Sequence, residues 1–174
     1  MKLYHVSEES DIAEFIPRTP KRDDVDKSKG LVWALNELGL TSFLLPRDCP
    51  RVTYYANEKT TEDDVQKYFS SAARHVVAIE SAWFQQTATT SIYVYEFDTA
   101  SFCMQDEVAG YYVSEQAQTP LSVTRLDNLF DRLFERNVEV RILPNLWQLG
   151  EAVQKTTLGW GLYRMINAQP KPTI

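Results

Sequence analysis

The sequence predicts an α+β fold in which a mixed, largely antiparallel sheet is flanked by helices. Strand-like segments alternate with helical ones and outnumber the long helices, and no glycine-rich strand-to-helix turn supports a doubly wound fold. The chain has 174 residues, which is enough for one hydrophobic core and few for two domains. We therefore expect residues 1–174 to form a single α/β globular domain, with residues 168–174 frayed.

The N-terminal segment Lys2–Val6 alternates polar and apolar residues, a pattern that predicts a strand with one buried face. Apolar residues recur at helical spacing over 12–16, so a short helix capped by a preceding serine is expected before Pro17. Residues 19–30 carry many charges and few apolar side chains, which predicts an exposed and mobile loop.

The middle of the chain contains two apolar strand patterns and one capped helix. The run Gly30–Leu35 predicts an interior strand, and Val52–Tyr55 predicts a second one after the double-proline loop Pro46–Arg51. Thr61 and Asp64 approximate a capping box, and apolar residues at 65, 68, 69 and 72 follow at helical spacing. An amphipathic helix is therefore expected after Thr61.

The rest of the chain continues this alternation. Strands are predicted at His75–Ile79, Ser91–Phe97, Tyr111–Ser114 and Val138–Leu143. Helices are predicted around Trp83, after the capping residue Asn145, and at an apolar stripe formed by Leu126, Leu129, Phe130, Leu133 and Phe134. This stripe and the four tryptophans are expected in the core.

Charge and cysteine content exclude several classes of protein. The formal net charge of -6 disfavours extended binding to nucleic-acid backbones, which needs clustered lysine and arginine. No apolar run approaches the roughly 20 residues of a membrane-spanning helix, and two cysteines are too few for a disulfide framework. Because CxxC and HExxH spacings are absent, no metal site is expected. The sequence thus predicts a cytoplasmic protein that does not enter a membrane.

The loop Pro46–Arg51 is the densest group of residues with chemical potential. Arg47 and Arg51 lie in a segment stiffened by prolines, and two guanidinium forks held there match the oxygens of a phosphate or carboxylate. The alternative is that Arg47 pairs with a carboxylate at 48, 80 or 96 while Arg51 lies on the surface. Cys49 between them is expected to be a small buried apolar residue.

The end of the first strand is a second candidate site. His5 and Ser7 are two positions apart in an extended segment, so their side chains lie on the same face and can contact one ligand. Arg18 would add a cation if its loop folds back over the strand ends. The alternative is a histidine that is hydrogen-bonded to the backbone.

The segment 105–114 is the third candidate. Acidic residues, a glycine and paired tyrosines, with Tyr112 and Ser114 at the end, could line a pocket wall on which an aromatic base stacks. The alternative is that these tyrosines pack in the core and across strands.

The chain resembles, over essentially its full length, a family of uncharacterised bacterial proteins classed as a domain of unknown function. The resemblance rests on five segments, Leu3–Ser7, Pro17–Arg18, Leu31–Ala34, Pro46–Arg51 and Tyr112–Ser114. This resemblance implies an intact domain, but it does not imply an activity, because the family has no assigned activity.

A more distant resemblance is to the ADP-ribosyltransferase superfamily and the related RNA 2'-phosphotransferases. Tyr4-His5 is similar to the pair that contacts the NAD ribose there, and the segment 111–123 is similar to their late strand. The glutamate of most transferases is absent at that strand, where Gly110 and Tyr111 stand. The phosphotransferases use arginines with a histidine, and those types are present as His5, Arg18, Arg47 and Arg51. The resemblance implies a transferase that acts on NAD or on a phosphorylated nucleic-acid end.

Two functions from different classes are therefore expected. The first is a domain that binds a nucleotide or another phosphorylated small molecule, with NAD as the implied cofactor. Its catalytic candidates are His5, Arg47 and Arg51, and its cofactor-binding candidates are Tyr4, Ser7, Arg18, Tyr112 and Ser114. The second is a non-catalytic interaction module with structural arginine ion pairs, in which the loop 19–29 contacts a partner.

Overall fold

A computed structural model describes residues 1–20 and 26–172 and confirms the α+β class. Its strands form two mostly antiparallel sheets. The chain divides into two compact units, unit 1 with Met1–Phe43 and Ile92–Leu126, and unit 2 with Leu44–Ser91 and Asp127–Ile174. That these units form one domain stays a prediction.

The elements of the described residues follow one another in chain order. The strands are β1 (Leu3–Ser7), β2 (Val32–Leu35), β3 (Arg51–Tyr55), β4 (His75–Glu80), β5 (Ile92–Phe97), β6 (Cys103–Asp106), β7 (Tyr111–Ser114), β8 (Ser122–Leu126), β9 (Val138–Leu143) and β10 (Gly159–Tyr163). The α-helices are α1 (Glu37–Thr41), α2 (Glu62–Tyr68), α3 (Phe84–Thr89), α4 (Leu129–Glu135) and α5 (Trp147–Val153). Short 3-10 helices cover Ser81–Trp83 and Met165–Asn167.

Unit 1 contains a six-stranded antiparallel sheet in the order β6-β7-β2-β1-β5-β8. One face carries an apolar cluster built from Leu3, Ala34, Tyr95 and Phe97. The ring of Phe15 lies edge-on to Tyr95 and Phe97, with centroids 5.1 and 5.0 Å away, and covers part of this cluster. Alternation along β1 and β5 places Leu3, Tyr95 and Phe97 on this face. The buried residues Ile92 and Val94 of β5 lie on the opposite face.

The prediction of a short helix over residues 12–16 is wrong. Phe15 instead forms an isolated antiparallel bridge with Gln118, with backbone nitrogen-to-oxygen distances of 2.8 and 3.0 Å. The Ser7 hydroxyl accepts from the Glu9 N–H at 3.1 Å and closes a turn. A helix this short is unstable by itself, so a distant backbone partner and burial of the Phe15 ring decide the conformation. Of the predicted loop 19–30, residues 21–25 lie outside the described residues, and Asp26–Lys29 are exposed.

Unit 2 contains a four-stranded sheet in the order β10-β3-β4-β9, in which β4 and β9 are parallel. All six residues of β4 are buried, as expected of an interior strand. One sheet face packs against α5 and the following turn in an apolar cluster formed by Val52, Tyr54, Val76, Ala78, Leu146, Val153 and Leu158. On the other face, the ring of Tyr55 lies over Gly159 of its neighbouring strand.

Several local predictions are confirmed, and others need correction. Thr61 caps α2 by accepting from the Asp64 N–H at 3.3 Å. In α4, Leu129 and Leu133 are buried, but Phe134 is 57% exposed and therefore does not belong to the core. The tryptophans are half-buried, apart from the more exposed Trp160. In the C-terminal tail 168–174, expected to be frayed, Gln169 and Pro170 are hydrogen-bonded to side chains of unit 2, and residues 173–174 lie outside the described residues.

Candidate functional site

His5 lies in the middle of β1 and is held by its own unit. Its Nδ1 donates to the Trp33 carbonyl oxygen at 3.0 Å, and the Phe15 ring lies 4.8 Å from the imidazole ring. Because a carbonyl only accepts, the hydrogen of the neutral ring is on Nδ1 and the lone pair is on Nε2. This geometry matches the alternative of a histidine bonded to the backbone.

The serine candidates organise turns at the ends of their strands. The Ser7 hydroxyl accepts from Glu9 as described, and the Ser114 hydroxyl accepts from the Gln116 N–H at 3.1 Å and from Gln118 Nε2 at 3.0 Å. Both serines are buried, with 6% and 2% of their surface exposed. Their hydroxyls therefore satisfy local backbone and amide groups.

The remaining candidates in unit 1 have different surroundings; they are Tyr4, Tyr112 and Arg18. Tyr112 packs against the apolar cluster on the sheet face that also carries His5. Tyr4 alternates with His5 and pairs with Leu35, so its side chain is on the opposite face. Arg18 is bound through its backbone, which exchanges two hydrogen bonds with Leu31 at 3.1 and 2.9 Å.

Arg47 and Arg51 do not present two exposed guanidinium forks. Arg47 is exposed in the turn before β3, whereas Arg51, which begins that strand, is only 2% exposed. The Arg51 guanidinium donates to the Cys49 carbonyl at 2.9 Å and lies 5.4 Å from the ring centre of Tyr163. The expectation that Arg51 lies on the surface is therefore wrong, and the double clamp of the sequence prediction is not formed in this way.

The buried groups around Arg51 also differ from a nucleophilic site. Burial raises the pKa of the Cys49 thiol to about 11, although the nearby charge of Arg51 lowers it in part. A thiol with this pKa stays protonated at neutral pH and is a poor nucleophile. Glu80 is fully buried and accepts from the backbone N–H groups of Leu146 and Gln169 at 3.3 and 2.9 Å.

Unit 1 also contains a groove of about 580 Å³ on the other sheet face. Val113 of β7 and Cys103 of β6 form its apolar floor together with Leu31. Val113 alternates with Tyr112 and Ser114, so the groove lies on the sheet face opposite to His5. None of the eight candidate residues of the sequence prediction lines it.

The rim of this groove is polar and carries both signs of charge. Its polar side chains are those of Asp26, Lys29, Ser101, Gln105, Glu115 and Gln116. The Lys29 ammonium donates to Glu115 at 2.6 Å, and this hydrogen bond and charge raise the pKa of the lysine above its usual value. Hydrogen bonds from Ser28 lower the pKa of Asp26 below its ordinary range. Among the described residues that line the groove, one side chain is therefore positive and two are negative at neutral pH.

Sequence reasoning missed most of this groove. Gln105 was within the third candidate segment, but Lys29 and Glu115 carry no motif and are 86 positions apart. They meet because β7 pairs with β2, whose N-terminal end follows Lys29. Within residues 1–20 and 26–172, no group of three or more His, Cys, Asp or Glu side chains is arranged to hold a metal ion. No helix in that part of the chain has the length and apolarity needed to span a bilayer.

The model of a family of unknown function (DUF6886) matches residues 4–168, which include the sheets of both units. The chain belongs to this family. It is also similar to the phenylalanine–tRNA ligase beta subunit of Mycoplasma mycoides subsp. mycoides SC, with 25% identity over 132 residues. The matched part is 75% of this chain and 15% of that ligase subunit. No solved structure matches the chain significantly.

Proposed function

We propose that unit 1 binds a nucleoside or nucleotide in the groove between Lys29 and Gln105. The observation that carries this proposal is the groove itself, whose volume of about 580 Å³ is in the range of small-molecule sites. Its apolar floor suits a base, and its carboxyl and amide side chains suit sugar hydroxyl groups. The similarity to a tRNA ligase subunit supports the same ligand class, because tRNA is a polynucleotide.

The charges of the rim favour the sugar and the base over the phosphate as the main contact. Lys29 is already hydrogen-bonded to Glu115, so a phosphate must compete with that carboxylate for the ammonium group. Among the described lining residues, two carboxylates outnumber one ammonium group, and this excess of negative charge disfavours a dianion. Hydroxyl groups of a ribose instead donate to Asp26 and Glu115 without such a cost.

Thermal unfolding in the presence of adenosine, AMP, NAD and ribose 5-phosphate tests the proposal. NAD is included because of the resemblance at Tyr4-His5. A ligand at 100 times its dissociation constant stabilises the folded state by about 2.7 kcal/mol, so a measurable rise in Tm is expected for adenosine. A Tm that none of the four compounds changes would remove the support for a nucleotide site.

Substitution Glu115→Gln separates sugar binding from phosphate binding. If Glu115 accepts from the ribose, its loss as a charged acceptor should weaken adenosine binding by about tenfold or more. If Lys29 instead holds a phosphate, the same change releases Lys29 and should strengthen AMP binding. Glu107→Gln is the matched control, because Glu107 is exposed and does not line the groove. Isothermal titration calorimetry measures both affinities.

The interaction module remains a second candidate because of Arg51. This side chain is 2% exposed and donates to the loop carbonyl of Cys49, which is a structural contact. The alternative had expected ion pairs of the arginines and an Arg51 on the surface. This second candidate would be favoured if none of the four compounds raises the Tm and Arg51→Ala strongly lowers the free energy of unfolding.

A further inference from the structure

The outer edge of β8 is open and regular. The strand is last in the sheet order, and the residues Ser122 to Arg125 are all exposed. Val123 is 48% exposed, and Leu121 just before the strand is 65% exposed. An exposed edge of this kind leaves backbone N–H and C=O groups available for another strand.

The opposite edge of the same sheet is protected by an irregularity. The pairing of β6 with β7 shifts register between Met104 and Asp106, which interrupts the ladder. In contrast, β8 pairs with β5 without interruption from Ser122 to Leu126, and it contains no proline. Of the two edges of this sheet, β8 is therefore the one that suits the addition of a strand.

We propose that β8 pairs antiparallel with β8 of a second copy of this chain, about a twofold axis at Thr124. Only this register overlaps all five residues of both strands. It places Arg125 of each copy opposite Val123 of the other and pairs the two Thr124 residues with each other. The interface is isologous, as in most homodimers.

Charge complementarity between Arg125 and Asp11 favours a second copy of this chain as the partner strand at the edge of β8. Val123 and Arg125 are register partners of Tyr95 and Tyr93, so both side chains are on the sheet face of these tyrosines. A depression of about 280 Å³ on this face is lined by Val123, Tyr95 and Asp11. Residues opposite each other across an antiparallel pair lie on the same face, so Arg125 of the second copy extends over Val123 toward Asp11. The twofold axis repeats this contact and gives two ion pairs between Arg125 and Asp11, which compete with the interaction that Arg125 makes within its own chain.

Sedimentation velocity over a concentration series tests the dimer and its register. The wild-type protein is expected to form dimers reversibly, and Asp11→Arg or Arg125→Asp should each raise the dissociation constant by about tenfold because like charges then face each other. The double variant Asp11→Arg/Arg125→Asp restores opposite charges and should recover most of the wild-type affinity. Glu107→Arg is the control, because this exposed residue lies in the turn between β6 and β7.

Far-ultraviolet circular dichroism shows whether each variant keeps its fold, and all three sites are exposed side chains. A protein that stays monomeric up to about 1 mM would overturn the proposal and leave the edge to a strand of another protein. A dimer whose affinity the single variants leave unchanged, or that the double variant fails to recover, would overturn the register and the role of Asp11.

Discussion

Replacing Gly110 by alanine is expected to destabilise the protein by about 2–3 kcal/mol. Gly110 ends the turn between β6 and β7 with φ of 69°, a left-handed conformation that costs an L-residue roughly 1–2 kcal/mol. An added Cβ would also stand 2.2 Å from Oδ1 of Asn36. This Oδ1 accepts from the Gly39 N–H at 2.9 Å and caps α1, so its displacement loses a cap of about 1 kcal/mol.

Urea denaturation followed by tryptophan fluorescence measures this loss. Gly150→Ala is the matched control, because Gly150 is in α5 and its added Cβ would come closest to the flexible Leu162 side chain, at 3.1 Å. The next contact, with Cγ2 of Val52 at 3.5 Å, is an ordinary van der Waals distance. That change is expected to stay within about 1 kcal/mol. In a double-mutant cycle with Asn36→Ala, the two effects should fall short of additivity by about 1 kcal/mol, because the cap can be lost once only. A loss for Gly110→Ala below about 0.5 kcal/mol, or full additivity, would refute the reasoning.

Three further predictions concern buried side chains. Arg51→Ala should lower the free energy of urea unfolding by about 1–3 kcal/mol, because the Cys49 carbonyl loses a charged donor, while exposed Arg47→Ala should cost less. Burial lowers the pKa of His75 to about 4, so the unfolded chain binds the proton of this histidine more tightly than the folded chain does. The free energy of unfolding should therefore fall by about 3 kcal/mol as the pH decreases from 6.5 to 4. A His75→Gln variant should lack this part of the pH dependence. Leu133→Ala should cost about 2–5 kcal/mol, and Phe130→Ala less in the same urea assay, because Leu133 is fully buried and Phe130 is half-buried against Phe84.

The parts of the fold that could be predicted have strong local signals. Alternation identified β1, a nearly continuous apolar run identified β2, and the Thr61 cap identified α2. The strands β6, β8 and β10 were not predicted, because the first two are exposed edges with polar residues and the third contains two glycines. Local patterns carry little information on such strands, since a neighbouring strand supplies their hydrogen bonds.

The candidate site could be predicted from local sequence patterns even less well than these strands. His5 and Arg51 were selected by residue type. In the structure their side chains donate hydrogen bonds to the backbone carbonyls of Trp33 and Cys49, respectively. The groove instead depends on the order of the strands, which brings Lys29 beside Glu115. Periodicity along the chain does not specify which strands become neighbours, so the groove could not be found from the sequence alone.

The carboxyl group of Glu80 gives the C-terminal tail a role in the cooperativity of unit 2. Its donors are the backbone N–H groups of Leu146 and Gln169, one before α5 and one in the tail. If the tail detaches, a fully buried acceptor at the end of β4 loses a partner. The amide of Gln169 should therefore exchange its hydrogen in one opening event with the end of β4, in contrast to the independent fraying typical of chain ends.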